Sequence, residues 1–132
     1  MKRIMENETL LAIVFQNEDW KEGLNFFTPA PLFIQAGTWQ YPKGKKLASH
    51  VHKTYERTAS QTQELVYVRR GSMKVFLYGD GKVLKEDFVL SQGELAVLVK
   101  GGHGYEILEE GTQILEVKNG PFVDVEYDKE LF

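Results

Sequence analysis

Three histidines stand at positions from which they could bind one metal ion together. His50 and His52 are separated by a single residue, and His103 lies far downstream in a glycine-rich segment, residues 101–104. Side chains two residues apart on a β-strand point to the same face, so His50 and His52 could direct two imidazoles at one point inside a β-barrel. The neighbouring glycines would let the backbone bring His103 close to that point. The spacing therefore predicts a metal site, without indicating a substrate.

Short apolar segments separated by glycine-containing turns must position these histidines. The pattern predicts strands at residues 10–15, 32–41, 47–53, 64–70, 73–78, 83–90, 94–100, 105–108 and 112–118. Residues 54–63 are polar and predict a loop, and no segment keeps a helical period over several turns. Short strands with frequent turns are typical of an all-β sandwich or barrel.

The composition is that of one globular domain without covalent cross-links. The chain has 132 residues, of which 42% are hydrophobic and 27% charged, and this balance suits a single core. We expect one domain over residues 1–132, with its core at about 32–118 and a C-terminal tail at 119–132. Because the chain has no cysteine, a metal would need histidine and carboxylate ligands.

Charge and hydropathy exclude several kinds of partner. The net charge of −3 argues against non-specific nucleic-acid binding, which needs a basic surface. No apolar run is long enough to cross a bilayer, and the first residues become polar too soon for a signal peptide. We therefore expect a cytoplasmic protein that acts on a small molecule and has neither a nucleic-acid nor a membrane partner.

The residues around the first two histidines resemble the first sequence motif of the cupin superfamily. Gly44 is followed after five residues by His50-Val51-His52, and Glu64 is followed after six residues by Gly71. Both of these spacings match the motif. The gap between His52 and Glu64 is longer than is usual in cupins, so the predicted loop at 54–63 would be an insertion.

The region around the third histidine resembles the second cupin motif in part. Gly93-Glu94 matches its opening, and His103 matches its histidine one residue early. Val99 stands where the motif has proline, and Ile107 stands where it has asparagine. The resemblance covers about half of the chain, from residue 44 to residue 107.

The resemblance implies both a fold and a set of metal ligands. The fold would be an all-β, single-domain cupin, a double-stranded β-helix or jelly-roll barrel. A divalent metal, which could be Fe, Mn, Ni, Co, Cu or Zn, would be bound by His50, His52, Glu64 and His103. Glu64 shares parity with Val66 and Val68, so its carboxylate would face the core, where it is costly unless paired, protonated or bound to a cation. The alternative is a metal-free cupin whose imidazoles line a water-filled pocket.

Three aromatic residues are candidates for the pocket wall. Trp39 and Tyr41 share one parity and could line the mouth, and Tyr105 shares parity with His103. Each also has a simpler interpretation, as a core or dimer contact. Tyr105 or a pocket water is the candidate catalytic base, because all three histidines would be used as ligands.

Three functions are compatible with such a site. The first is metal-assisted isomerisation, epimerisation or oxygenation of a small oxygen-rich molecule, such as a sugar derivative; a link to sugar metabolism is implied by the resemblance. The second is non-catalytic binding or sensing of a sugar or carboxylate. The third is a structural or regulatory dimer protein with a vestigial pocket, which the incomplete second motif favours. The resemblance also implies that the chain forms a homodimer, because cupins commonly do, and the apolar first strand and aromatic tail would permit one.

Overall fold

Ten antiparallel strands form most of the ordered structure in a computed structural model that describes all 132 residues. Two single 3₁₀ turns and one short helix, α1 (Val125–Asp128), complete it. The strands are β1 (Lys2–Glu6), β2 (Thr9–Phe15), β3 (Gly23–Phe26), β4 (Gly37–Gln40), β5 (Glu64–Arg70), β6 (Ser72–Tyr78), β7 (Leu84–Ser91), β8 (Leu95–Leu98), β9 (Gly102–Ile107) and β10 (Gln113–Lys118).

The strands form three sheets, none of which closes into a barrel. The largest has the order β1-β2-β8-β5-β10, and the second has the order β7-β6-β9. The third is the hairpin of β3 and β4. The chain is therefore an all-β protein built from antiparallel sheets.

The main core lies between the five-stranded and three-stranded sheets. Alternate residues of β5 are buried, including Val66 and Val68, and they pack against Val75 and Leu77 of β6. Because side chains alternate across a strand, this packing places Glu64 on the same inward face, and Glu64 is only 3% exposed. The charged residues at the end of β5 are exposed.

A second apolar layer covers part of the outer face of the large sheet. Ile13, Phe15 and Val97 are buried there. Residues of the 27–36 segment pack over them, including Phe27 and Ile34. The Gln63 side chain fixes this segment by accepting hydrogen bonds from the backbone N–H groups of residues 33 and 34 at 2.9 and 3.2 Å.

The turn between β8 and β9 depends on one glycine. Gly101 has φ +87°, and a Cβ atom there would lie 2.2 Å from the carbonyl oxygen of Tyr78. A side chain at this position would therefore meet both a left-handed backbone and a backbone clash. Gly101 lets β9 turn back beside β6 and places His103 opposite Leu77.

Most of the predicted strands are present, and four elements differ. Residues 64–70 form β5 as predicted, and the strands predicted near 10–15, 73–78, 83–90, 94–100, 105–108 and 112–118 are observed with shifted ends. The prediction of a strand at 47–53 is wrong, and only Gly37–Gln40 of residues 32–41 is a strand. The strands β1 and β3 were not predicted, and buried residues of β1 and β2 extend the core to before residue 32. No helix is long and apolar enough to span a lipid bilayer.

Candidate functional site

Glu64 and His103 meet at one end of the space between the two sheets. Glu64 is the first residue of β5, where it lies opposite Leu98 of β8 and Lys118 of β10. His103 is the second residue of β9 on the facing sheet. The His103 Nε2 atom lies 2.9 Å from Glu64 Oε2, so the two sheets are joined here by a polar contact instead of an apolar one.

Tyr105 completes a polar cluster around the same carboxylate oxygen. It lies two residues after His103 on β9, with ring centroids 5.4 Å apart. The Tyr105 hydroxyl donates a long hydrogen bond of 3.5 Å to Glu64 Oε2. Both donors therefore approach Oε2, and no protein group donates to Oε1 of Glu64.

Two pKa shifts define the charge state of this cluster. The hydrogen bond from His103 lowers the pKa of Glu64, against the opposing effect of burial, and the positive charges of Lys129 and Lys118 add to the lowering. Burial, reinforced by the negative charge of Glu64, raises the pKa of Tyr105 far above its ordinary value. At neutral pH the cluster therefore contains an ionised carboxylate beside a protonated phenol.

The charge on Glu64 fixes the roles of the two imidazole nitrogens. An ionised carboxylate can only accept hydrogen bonds, so His103 Nε2 must carry a proton. In the neutral ring the lone pair then lies on Nδ1, which has no hydrogen-bond partner in the protein. This is the arrangement by which a carboxylate orients a histidine whose other nitrogen takes part in proton transfer.

The cluster opens into a cavity of about 750 Å³. One wall is the corner between β8 and β9, and the others are residues 59–62 and the C-terminal tail. The lining residues that bear charge or carry an imidazole or a phenol are Glu64, Lys100, His103, Tyr105, Tyr127, Asp128, Lys129 and Glu130. Such a volume accommodates a small organic molecule.

The C-terminal tail is attached to the body of the protein by specific contacts. Asp128 accepts hydrogen bonds from the Thr62 hydroxyl at 2.6 Å and from Lys118 Nζ at 2.9 Å. These two bonds lower the pKa of Asp128, and the bond to Asp128 raises the pKa of Lys118. Phe132 packs edge-on against Tyr78, with ring centroids 5.1 Å apart. The tail therefore forms a wall of the cavity.

His50 and His52 do not join the cluster. They lie in residues 45–61, which form no strand, and both are exposed. Their rings are 5.1 Å apart, and His50 Nδ1 lies 3.1 Å from the carbonyl oxygen of Ala48. The apolar side chains of this segment are exposed as well, with Leu47, Val51 and Tyr55 at 46%, 91% and 63%, so no sheet buries them.

The four predicted ligands consequently do not form one metal site in this arrangement. Only Glu64 and His103 line the cavity, and no group of three or more histidine, aspartate or glutamate side chains is positioned to hold a metal ion. The residues as arranged do not fit the metal that the resemblance implied.

Trp39 and Tyr41 also lie away from the cavity. Trp39 is 56% exposed on β4, paired with Leu24 of β3, and Tyr41 follows that strand. Neither residue lines the cavity around Glu64, and the β3–β4 hairpin is a sheet of its own. Among the predicted pocket residues, Tyr105 lines the cavity.

Sequence reasoning missed the residues that the tail and the β8–β9 corner contribute. Lys100 adjoins Gly101, and Lys129 follows α1 directly. No regular alternation marks either lysine as facing a site. The aromatic content of the tail was the available signal, because it is unusual for a fully solvated terminus.

Comparison of the chain with protein-family models, with curated proteins and with solved structures finds no match. The observations that bear on function are therefore the cavity, the hydrogen-bonded pair of Glu64 and His103, and the charges around them.

Proposed function

We propose that this protein is a small cupin-like β-sandwich that binds an oxygen-rich small molecule, such as a sugar derivative, and catalyses a proton transfer within that molecule. The observation that carries the proposal is the 2.9 Å contact between His103 Nε2 and Glu64 Oε2 inside a cavity of about 750 Å³. A buried carboxylate that orients an imidazole is a common way to build a general base. The packed antiparallel sheets and the sequence motifs around residues 44–71 and 93–103 support the cupin-like assignment.

The chemistry would be isomerisation or epimerisation beside a carbonyl group. His103 Nδ1 would take the proton from the carbon next to the carbonyl, and the electron pair of the broken C–H bond would move to the carbonyl oxygen. The protonated Tyr105 hydroxyl, kept neutral by burial and by Glu64, would exchange its long hydrogen bond to Glu64 for one donated to that oxygen. Isomerisation would be completed when His103 returns the proton to the former carbonyl carbon, while the hydroxyl proton of the deprotonated carbon moves to the former carbonyl oxygen. In epimerisation, a cavity water would donate a proton to the opposite face of the carbon, and His103 would return its proton to the resulting hydroxide. Glu64 acts in this scheme as a positioning residue.

Binding without turnover is a second candidate for the same cavity. The free Oε1 atom of Glu64 and the hydroxyl of Tyr105 would hold sugar hydroxyl groups whether or not a proton is transferred. This proposal and the enzymatic one share their residues. They differ in whether a C–H bond of the ligand is broken.

A divalent metal remains a separate proposal, and no step above passes through it. Elemental analysis of protein purified without a nickel column would test it, using the wild type, His50→Ala and His103→Ala. Stoichiometric metal that both substitutions remove would support the four-residue ligand set. Metal that is lost with His103→Ala and kept with His50→Ala would place the binding at the cavity alone.

Solvent exchange tests the proposed reaction directly. A panel of keto-sugars, with and without phosphate groups, would be incubated with the protein in D₂O and followed by NMR and mass spectrometry. Deuterium should enter the carbon beside the carbonyl with wild-type protein and with His50→Phe. His103→Phe should abolish the exchange. Ligand binding without exchange would favour the non-catalytic candidate, and exchange that survives His103→Phe would contradict the assigned base.

A further inference from the structure

The acidic side chains of the cavity wall are already paired. Each of the three accepts a hydrogen bond from a nitrogen-bearing side chain, and the pairs are Glu64 with His103, Asp128 with Lys118, and Glu130 with Lys82. The N···O distances are 2.9, 2.9 and 2.7 Å respectively. These carboxylates are therefore partly neutralised before any ligand arrives.

Two lysines of the wall have no such partner. Lys100 lies in the corner between β8 and β9, Lys129 lies in the tail, and neither is within ion-pair distance of a carboxylate. The charge of Lys129 reaches the centre of the site, because it contributes to the lowered pKa of Glu64. The exposed carboxylate of Glu116, whose charge reaches Tyr105, does not line the cavity.

We propose that the ligand of this cavity is an anion, whose carboxylate or phosphate group binds Lys100 and Lys129. The inference deepens the proposed function and rests on it. In a chain with a net charge of −3, the overall charge does not attract an anion, so unpaired lysines at the cavity would provide the local attraction. An ammonium group binds carboxylate or phosphate as a point charge and imposes little geometry, so the two anions remain to be distinguished by experiment.

Matched sugars with different charges test the proposal. Amide NMR spectra of the full chain would be recorded during titration with glucose, glucuronate and glucose 6-phosphate at constant ionic strength. The two anions should shift the amides of residues 100–105 and 119–132 at concentrations about tenfold lower than glucose requires. The anion that binds at the lower concentration then identifies the group, carboxylate or phosphate, that the lysines bind.

Substitutions assign the effect to the two lysines. Lys100→Gln and Lys129→Gln should each weaken binding of the preferred anion by about three- to tenfold, as expected for one partly solvated charge pair. Lys129→Arg should keep the affinity. Lys85→Gln is the matched control, because Lys85 is an exposed lysine on β7 outside the cavity.

Three outcomes would overturn the inference. Glucose that binds as tightly as both anions would contradict the inference alone and leave proton transfer on a neutral sugar intact. Unchanged anion affinity in both Lys→Gln variants would do the same. If none of the three probes shifts the cavity amides, the anion proposal fails, and exchange in D₂O decides the proposed function separately.

Discussion

Lys118 lies directly opposite Glu64 in the β10–β5 register, yet its Nζ atom binds Asp128 of the tail at 2.9 Å. The lysine paired with Glu64 across the two strands is thus bound to the tail. Glu64 instead accepts its hydrogen bond from His103 on the facing sheet. The attachment of the tail and the pairing of the central carboxylate are therefore linked through Lys118.

Asp128→Asn should loosen the tail. Asparagine can still accept from Thr62, but it carries no charge for Lys118, so the cavity wall should open more often. Cleavage by trypsin after Lys129 should become a few-fold faster than in the wild type. Glu126→Gln, an exposed change in the same short helix, is the control. Equal cleavage of all three proteins would show that the ion pair does not hold the tail.

Glu64→Gln should lower stability at neutral pH and lose that effect in acid. The pKa of Glu64 is lowered in the folded state, so its contribution is present above the unfolded value near 4.5 and disappears as the pH falls through the folded pKa. The expected cost at pH 7 is about 1–3 kcal/mol, as for a buried hydrogen bond to a charged group. Urea unfolding of both proteins from pH 7 down to pH 3 measures it.

Glu116→Gln is the control for this pH series, because Glu116 lies on β10 and is exposed. It should change stability by less than about 0.5 kcal/mol. A Glu64→Gln effect that stays constant with pH would contradict an ionised, hydrogen-bonded carboxylate.

Gly101→Ala should be much more damaging than Gly104→Ala. A Cβ atom at residue 101 would lie 2.2 Å from the Tyr78 carbonyl oxygen at a φ of +87°, whereas one at residue 104 would meet nothing within 4 Å. We expect a loss of about 1–3 kcal/mol at residue 101 and little change at residue 104. Thermal unfolding of the two variants measures the difference. Equal losses would mean that the β8–β9 turn is not built as described.

Leu77→Ala should lower the stability of the protein strongly, because Leu77 lies in the core between the two sheets. Leu77 is fully buried on β6, so its truncation should cost about 2–5 kcal/mol through lost burial and the cavity left behind. Leu115→Ala provides the contrast, because Leu115 is 56% exposed on β10, and it should cost less than about 1 kcal/mol. Denaturant unfolding compares them, and similar losses would contradict the assigned faces.

The sequence predicted the core strands because their side chains alternate and glycine turns mark their ends. Glu64, Val66 and Val68 were placed on the inward face of β5 by parity alone, and the structure agrees. The same reasoning was wrong for the segment around His50. The spacing of His50 and His52 places both rings on one face only if residues 47–53 form a strand that pairs with a neighbouring strand. That long-range condition is not visible in the residues 47–53 themselves.

The position of the cavity wall could not be predicted from local sequence patterns either. Lys129 and Phe132 reach the cavity because Asp128 accepts hydrogen bonds from Thr62, 66 residues away along the chain, and from Lys118 at the end of β10. Such contacts depend on how the sheets are stacked. Tyr105 was accessible to sequence reasoning because its parity with His103 is local.

Nitrogen NMR of the three histidine rings tests the central claim most directly. Long-range ¹H–¹⁵N spectra of the wild type and Glu64→Gln should show a changed ring for His103, with Nε2 as the protonated nitrogen in the wild type. The rings of His50 and His52 should be unaffected. Three rings that respond alike, or a His103 ring that ignores the loss of the Glu64 charge, would contradict the hydrogen-bonded pair on which the proposed proton transfer depends.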